Sequence, residues 1–296
     1  MIATLDRTPA TDPADISESL RHLVAVAAGV SGSVRLVDFY EGVFGEYVDD
    51  LHTGVDWDSR LLAETLRDAG AAPDAHVIDL CCGSGRVGVH LADQGWDVTG
   101  IDRSATLVDR APRRRPGRRV RWIQADLGRD DLRPVVGRPA PAAVTSAAAL
   151  DCFPDADHLA RALAGVAPLL AVDGLVLAPV FDDGARAHFE AGLPDRLTGH
   201  PLRQDNGRRL VVWTSLGYHP PTATLHQAAL VSVPEPAGLI HHFAYNVERV
   251  WTAGEVAAVL GAAGWRLALS RTAKAEGGPS DGWPFRLLGF LPPPDG

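Results

Sequence analysis

Apolar positions along the chain change period twice, and each change marks a boundary. Residues 1–14 carry Pro9 and Pro13 with little pattern and are expected to be disordered. From Asp15, the positions Ile16, Leu20, Leu23, Val24 and Ala28 follow helical spacing as far as Gly29. Residues 34–52 form an apolar and aromatic run broken by Gly42 and Gly45. Asp58 to Ala69 reads as an amphipathic helix, with Asp56 or Asp58 as its N-cap and Gly70 just past its end. Short apolar runs then alternate with helical patterns. Strands are predicted at 76–81, 97–102, 120–125, near 141–147 and at 175–181, with helices at 86–94, 104–111 and 155–170. Strands spaced by helices of this length predict a parallel, doubly wound α/β sheet.

The period changes at Asp182. Residues 208–217, 224–233 and 239–250 are extended runs with little helical periodicity. In the third, Leu239, His241, Phe243, Tyr245 and Val247 share one face, and Ile240, His242, Ala244, Asn246 and Glu248 the other. Joined by short turns at 219–223 and 234–238, the three runs predict an antiparallel sheet inserted into the α/β core. Thr252 then caps a helix at 253–263, and strands at 265–271 and 285–291 complete the core. The expected division is an N-terminal helical segment or lid (1–57), a core (58–181), the antiparallel insertion (182–250) and a C-terminal return to the core (251–296).

The chemistry concentrates in Val77-Ile-Asp79-Leu-Cys81-Cys-Gly83-Ser84-Gly85-Arg-Val-Gly88 and the following Asp97-Val-Thr-Gly-Ile-Asp102. Each is a strand ending in an acid, and the first runs through a glycine turn into a helix, the pattern of a nucleotide-like cofactor cradle. Gly83, Gly85 and Gly88 also satisfy the dinucleotide spacing, so a nicotinamide or flavin enzyme is an alternative. Asp79 argues against it: a carboxylate beside the loop repels a pyrophosphate but pairs with an ammonium group. Asp102 is placed to accept ribose hydroxyls, and Asp126 closes the third strand. Three acids at successive strand ends suit an adenosine with a cationic tail and no phosphates.

These motifs resemble the class I S-adenosylmethionine-dependent methyltransferases, well over residues 60–181 and more loosely to the end of the chain. The resemblance implies a Rossmann-like sheet of order 3-2-1-4-5-7-6 and S-adenosyl-L-methionine as cofactor. It places Asp79, Gly83, Ser84 and Gly85 at the methionine portion, Asp102 at the ribose, Asp126 and Leu127 at the adenine, and Ser146 at the methyl-transfer site, with Cys81 and Arg103 also among the cofactor-binding residues. Cys81 stands where the family's first glycine is usual and Val87 where its last is. An antiparallel insertion at this position occurs among small-molecule methyltransferases, including sugar-amine N,N-dimethyltransferases, as a lid or floor over the acceptor pocket. The front half is also similar to daptide-type enzymes that dimethylate a peptide's N-terminal amine.

Composition narrows the partners. A net charge of −9 argues against a nucleic-acid substrate, and the cluster Arg110, Arg113, Arg114, Arg115, Arg118, Arg119 and Arg121 reads as a solvated connection after a helix. Three cysteines, two of them adjacent, make neither a disulfide framework nor a zinc spacing. No run is long enough to span a membrane and no signal peptide is evident, so a cytoplasmic monomer or homodimer is expected. Methyl transfer to a small molecule or peptide, most readily at an amine, is the expected activity. A hydroxyl or carbon acceptor and a non-catalytic binding module are the alternatives. Candidates near the acceptor are Tyr47 (with Tyr40), Asp151, which otherwise caps the next helix, and His242. His52 is a further candidate. His241 and His242 face opposite sides of a strand, so they do not chelate as a pair and no metal is expected.

Overall fold

A computed structural model describes residues 18–31, 34–114, 120–193 and 197–294. The expected disorder of residues 1–14, and Arg115, Arg118 and Arg119 of the arginine cluster, lie outside the described residues. In chain order the helices are α1 (Glu18–Ser31), α2 (Gly42–Leu51), α3 (Trp57–Asp68), α4 (Arg86–Asp93), α5 (Ala105–Arg114), α6 (Arg133–Val136), α7 (Ala156–Val166), α8 (Ala185–Gly192) and α9 (Ala253–Ala262). The strands are β1 (Val34–Leu36), β2 (His76–Leu80), β3 (Asp97–Asp102), β4 (Val120–Gln124), β5 (Ala140–Thr145), β6 (Leu170–Phe181), β7 (Leu197–Arg203), β8 (Arg209–His219), β9 (Thr224–Glu235), β10 (Gly238–Arg249), β11 (Arg266–Lys274) and β12 (Pro284–Leu291). None of the described helices is long and apolar enough to cross a membrane.

The chain forms two compact units. One comprises the described part of residues 1–39 with 192–247, the other residues 40–191 with the described part of 248–296. The first is a five-stranded sheet ordered β1-β10-β9-β8-β7, with β1 parallel to β10. Leu20 and Ala27 of α1 pack with Ala228 and Leu230 of β9. Strand β7 has no counterpart among the predicted strands. It carries Pro201, tolerable because β7 is an edge with a free side for the missing donor.

The second unit holds a seven-stranded sheet ordered β11-β12-β6-β5-β2-β3-β4. Strands β4, β3, β2, β5 and β6 are mutually parallel, and β12 is antiparallel to both β6 and β11. Both faces are covered, which is why β2 is buried throughout, His76 and Asp79 included. Ile78 and Leu80 pack on the side of α7 and α9 with Leu159, Leu163, Val256 and Leu260. Val77 faces the other way, against Leu62 and Leu66 of α3 and Val87 and Leu91 of α4. The two-residue period of the strand therefore turns Asp79 toward α4.

Local chemistry explains the starts of two helices. Thr252 and Glu255 form a reciprocal capping box on α9. Asp155, and not Asp151, caps α7 by accepting the His158 N–H at 2.9 Å. Asp56 occupies the N-cap position of α3 without a side-chain cap bond, so neither Asp56 nor Asp58 caps that helix as expected.

One glycine row has an unexpected cause. Asp79, Gly100 and Trp122 are register neighbours across β2, β3 and β4. A Cβ on Gly100 would overlap the Trp122 indole and lie 3.0 Å from Cys82 Sγ, and Cβ atoms on Gly85 and Gly88 would meet the same indole. These glycines make room for a tryptophan beneath the loop. Gly100→Ala should cost about 1–3 kcal/mol through overpacking, read as a lower urea midpoint; an unchanged midpoint would show that the indole can move away.

Candidate functional site

The parallel strands order outward in both directions from β2, with β3 on one side and β5 on the other. Chain segments leaving the carboxyl ends of β2 and β5 turn to opposite faces there, opening the crevice that α/β sheets use for ligands. The tip of β2 supplies Asp79 and the glycine turn. Asp79 is 0% exposed, and neither carboxylate oxygen has a hydrogen-bond partner of good geometry. Burial pushes its pKa up to about 7, against the opposing pull of the Gly88 amide and the Arg86 charge. A carboxylate buried without a partner is costly unless a cation meets it.

Cys81 follows in the left-handed region at φ +52°, the conformation a glycine would supply at no cost. That accounts for the family's usual glycine at this position. Gly83 (φ +53°) donates its N–H to Asp102 Oδ2 at 2.8 Å, and Ser104 N–H donates to Asp102 Oδ1 at 2.9 Å. Asp102 thus braces the glycine turn from the tip of β3. Burial raises its pKa.

The segment before α2 is pinned to the same edge. Glu41 accepts the N–H groups of Ala105 and Thr106 at 3.0 and 3.1 Å, capping α5 from a distant part of the chain. Ser104 Oγ donates to the Tyr40 carbonyl at 2.7 Å. Asp49 on α2 accepts Ser84 Oγ at 2.5 Å and Arg110 Nε at 2.9 Å, and pairs with Arg114. Burial would raise the Asp49 carboxyl, but Ser84 and the two arginines hold it below the usual range. Of the arginine cluster, Arg110 and Arg114 therefore serve this ion-pair network and are not simply solvated.

A second network lies behind the loop. Asp58 of α3, 0% exposed, receives Arg86 through both carboxylate oxygens, with Nη2 to Oδ2 at 2.6 Å. The same carboxylate accepts the Ala147 N–H at 3.0 Å and the Ser59 N–H at 2.8 Å. Burial opposes its ionisation, yet the Arg86 guanidinium and these amides hold it below the ordinary value. Ala147 lies directly after Ser146, at the mouth of the crevice. Ala148 beyond it takes φ +59°, a strained turn in a non-glycine residue.

Residues 77–174 match the family model described as a methyltransferase domain. The chain carries a methyltransferase domain over these residues. Among curated proteins it is similar to ribosomal RNA small subunit methyltransferase C of Alcanivorax borkumensis, 38% identical over 69 residues. That match spans 23% of this chain and only 19% of the relative's length. Among solved structures it is similar to a sugar N-methyltransferase from Streptoalloteichus (TM-score 0.64, 19% identity, covering 85% of this chain and 93% of that one). It is also similar to an amino pentose methyltransferase from Micromonospora echinaspora (TM-score 0.56, 20% identity, covering 83% and 95%). At these identities the structural likeness establishes the fold.

The residues of the methyltransferase domain fit S-adenosyl-L-methionine on their own chemistry. Asp79 is a buried carboxylate in want of a cation. The glycine turn exposes Gly83 without a clash, its nearest neighbour to a Cβ being Leu107 Cδ1 at 3.9 Å. Gly85 and Gly88, by contrast, are backed by Trp122, so the dinucleotide spacing has a packing cause here. Asp126 turns on itself: its Oδ1 accepts the Gly128 N–H at 2.9 Å, with Leu127 buried beside it. Ser146 is partly exposed.

The acceptor candidates are spread more widely. Tyr47 is 5% exposed, packed on α2. Tyr40 reaches further: its hydroxyl donates to Glu248, and the Arg103 guanidinium lies 5.9 Å from its ring centroid. Asp151, 2% exposed in the 3-10 turn Ala149–Cys152, accepts the Trp251 N–H at 3.2 Å through Oδ1 and leaves Oδ2 without a partner. His242 lies on β10 of the other unit, opposite Arg35, and burial lowers its pKa. His52 shares a hydrogen bond with the Val48 carbonyl at 2.8 Å and is held neutral chiefly by burial. No group of three or more His, Cys, Asp or Glu side chains among the described residues could hold a metal ion. Local spacing marks neither Asp58 as a buried anchor nor Glu248 as the partner of Tyr40. Their partners stand 28 and 208 positions away in sequence.

Proposed function

We propose that the protein methylates an amine of a small-molecule or peptide acceptor in natural-product tailoring. The observation that carries this reading is the partnerless, fully buried Asp79 beside a braced glycine turn, a site built for an adenosyl compound with a cationic tail. Support for an amine comes from the half-buried Glu248 on the same unit, held by the Tyr40 hydroxyl, whose carboxylate favours a cationic acceptor. The similar structures named above, a sugar N-methyltransferase and an amino pentose methyltransferase, point the same way. The acidic charge of −9 disfavours the nucleic-acid substrate of the curated relative.

Bound S-adenosyl-L-methionine supplies a methyl group already activated on a sulfonium. The chain's own work is then mainly placement. In this reading Asp79 holds the ammonium of the methionine portion together with Cys81 and the Gly83-Ser84-Gly85 turn. Asp102 and Arg103 hold the ribose, and Asp126 with Leu127 borders the adenine. Ser146, fixed through the Ala147–Asp58 bond, lines the crevice where the acceptor enters.

The test is transfer of tritiated methyl from S-adenosyl-L-methionine to matched acceptors: an aminopentose glycoside and a tripeptide, each beside its hydroxyl counterpart. Transfer to an amine and not to its hydroxyl twin is the expected result. Transfer confined to the hydroxyl compounds would reassign the acceptor, and cofactor binding with no transfer at all would favour a binding module.

A further inference from the structure

The methyl-donor site leaves one carboxylate unexplained. Glu248 is the first residue of the second unit's C-terminal part, at the end of β10. It accepts the Tyr40 hydroxyl. Tyr40 is itself fixed over the tip of β3, its carbonyl holding Ser104 Oγ at 2.7 Å and its ring beside Arg103. On the opposite flank, the charge of Glu248 helps raise the pKa values of Asp151 and Cys152, after burial as the larger cause. These two residues lie in the turn that follows β5. Glu248 thus touches Tyr40 near the tip of β3, and its charge reaches the turn that follows β5. Glu248 itself is half-buried, so its carboxylate is not sealed off from solvent.

Resting on the amine reading above, we infer that Glu248, oriented by the Tyr40 hydroxyl, binds the acceptor's ammonium group and takes its proton. A carboxylate accepts at about four lone-pair positions, so the tyrosine bond fixes its direction without filling them all. The charge-assisted bond to the substrate is the stronger of the two types. The proton passes from the ammonium nitrogen to a Glu248 oxygen, leaving a neutral amine and a carboxylic acid. The amine lone pair then forms the new N–C bond while the methyl's C–S bond breaks, its electron pair remaining on sulfur. The methylated nitrogen carries the positive charge, and Glu248 returns its proton to solvent.

The assay above, run on the full chain, tests the assignment. Glu248→Gln keeps the shape and the tyrosine contact but cannot take a proton at neutral pH. It should lower kcat/KM for the amine roughly a hundredfold, the usual scale of a lost general base, with S-adenosylhomocysteine affinity by calorimetry within about twofold of wild type. Tyr40→Phe should lower kcat/KM about tenfold, the scale of one lost orienting hydrogen bond. Retained affinity for S-adenosylhomocysteine certifies the folded site in both variants. Amine transfer by Glu248→Gln within about threefold of wild type would overturn the role of Glu248 and leave the amine reading standing. A parallel loss of S-adenosylhomocysteine affinity would also overturn it, by placing Glu248 on the cofactor side. Transfer by the wild-type protein to hydroxyls alone, or to none of the acceptors, would defeat the amine reading itself and this inference with it.

Discussion

Replacing Asp79 by Asn is expected to make the ligand-free protein more stable and to remove most of its affinity for the cofactor. Both effects follow from one buried carboxyl. Its pKa stands near 7 because burial penalises the charged form. The sign is that of a raised acid: the unfolded chain ionises it near pH 4, the fold only near pH 7. The folded state therefore loses stability as pH rises between those values. About three pKa units correspond to roughly 4 kcal/mol of penalty, fully present only above pH 7. An Asn is neutral at every pH but leaves its own buried amide poorly satisfied, at a cost of about 1–3 kcal/mol. The variant should gain on the order of 1–3 kcal/mol at pH 8, with the advantage gone by pH 5, read from urea midpoints. Cofactor affinity should drop tenfold to a hundredfold, about the value of one hydrogen bond to a charged group. A variant that binds normally would remove Asp79 from the site.

The second large effect concerns the Asp58–Arg86 pair. Asp58→Ala strands a buried guanidinium and unpairs the Ala147 and Ser59 amides. A loss of about 3–5 kcal/mol is expected, as for other buried pairs broken on one side. Arg86→Met strands the carboxylate, which then protonates to escape its burial. Because Ala147 precedes the strained Ala148 turn, both variants should also lower the methyl-transfer rate at saturating cofactor. Joint replacement by Leu at 58 and Met at 86 should recover much of the stability, since no charge is left buried, but little of the rate. A double variant with full activity would mean that Asp58 has no part in shaping the crevice.

The strand, acid and glycine turn at the tip of β2 were readable because they are local. Val77 through Gly88 places strand, acid, turn and helix within a dozen residues, and the two-residue period alone turns Asp79 toward α4. The alternation of strands and helices likewise carried the parallel sheet, and the strict period of residues 239–250 carried β10. What escaped was made by distance. The bond between Tyr40 and Glu248 joins residues 208 apart, and Ala147 meets Asp58 across 89. Nothing in the neighbourhood of either residue announces the other. Asp58 looked like a helix cap because it stands in the first turn of α3, whereas its side chain turns inward to Arg86. The glycines misled in a different way. Gly85 and Gly88 fit a ligand-cradling spacing, but the indole that needs their space is Trp122, two strands away. Strand β7 was hidden by Pro201, a residue that denies a central strand but is harmless at an edge.

The measurement that bears most directly on the site is calorimetric titration of the wild-type protein with S-adenosylhomocysteine between pH 6 and pH 8. The ligand's ammonium requires Asp79 ionised, so a proton must leave on binding when the pH lies below about 7. Saturable binding that weakens about tenfold from pH 8 to pH 6 is the expected result, with that dependence absent in Asp79→Asn. Absence of binding, or saturable binding of a nicotinamide dinucleotide in its place, would contradict the reading of this crevice as a methyl-donor site.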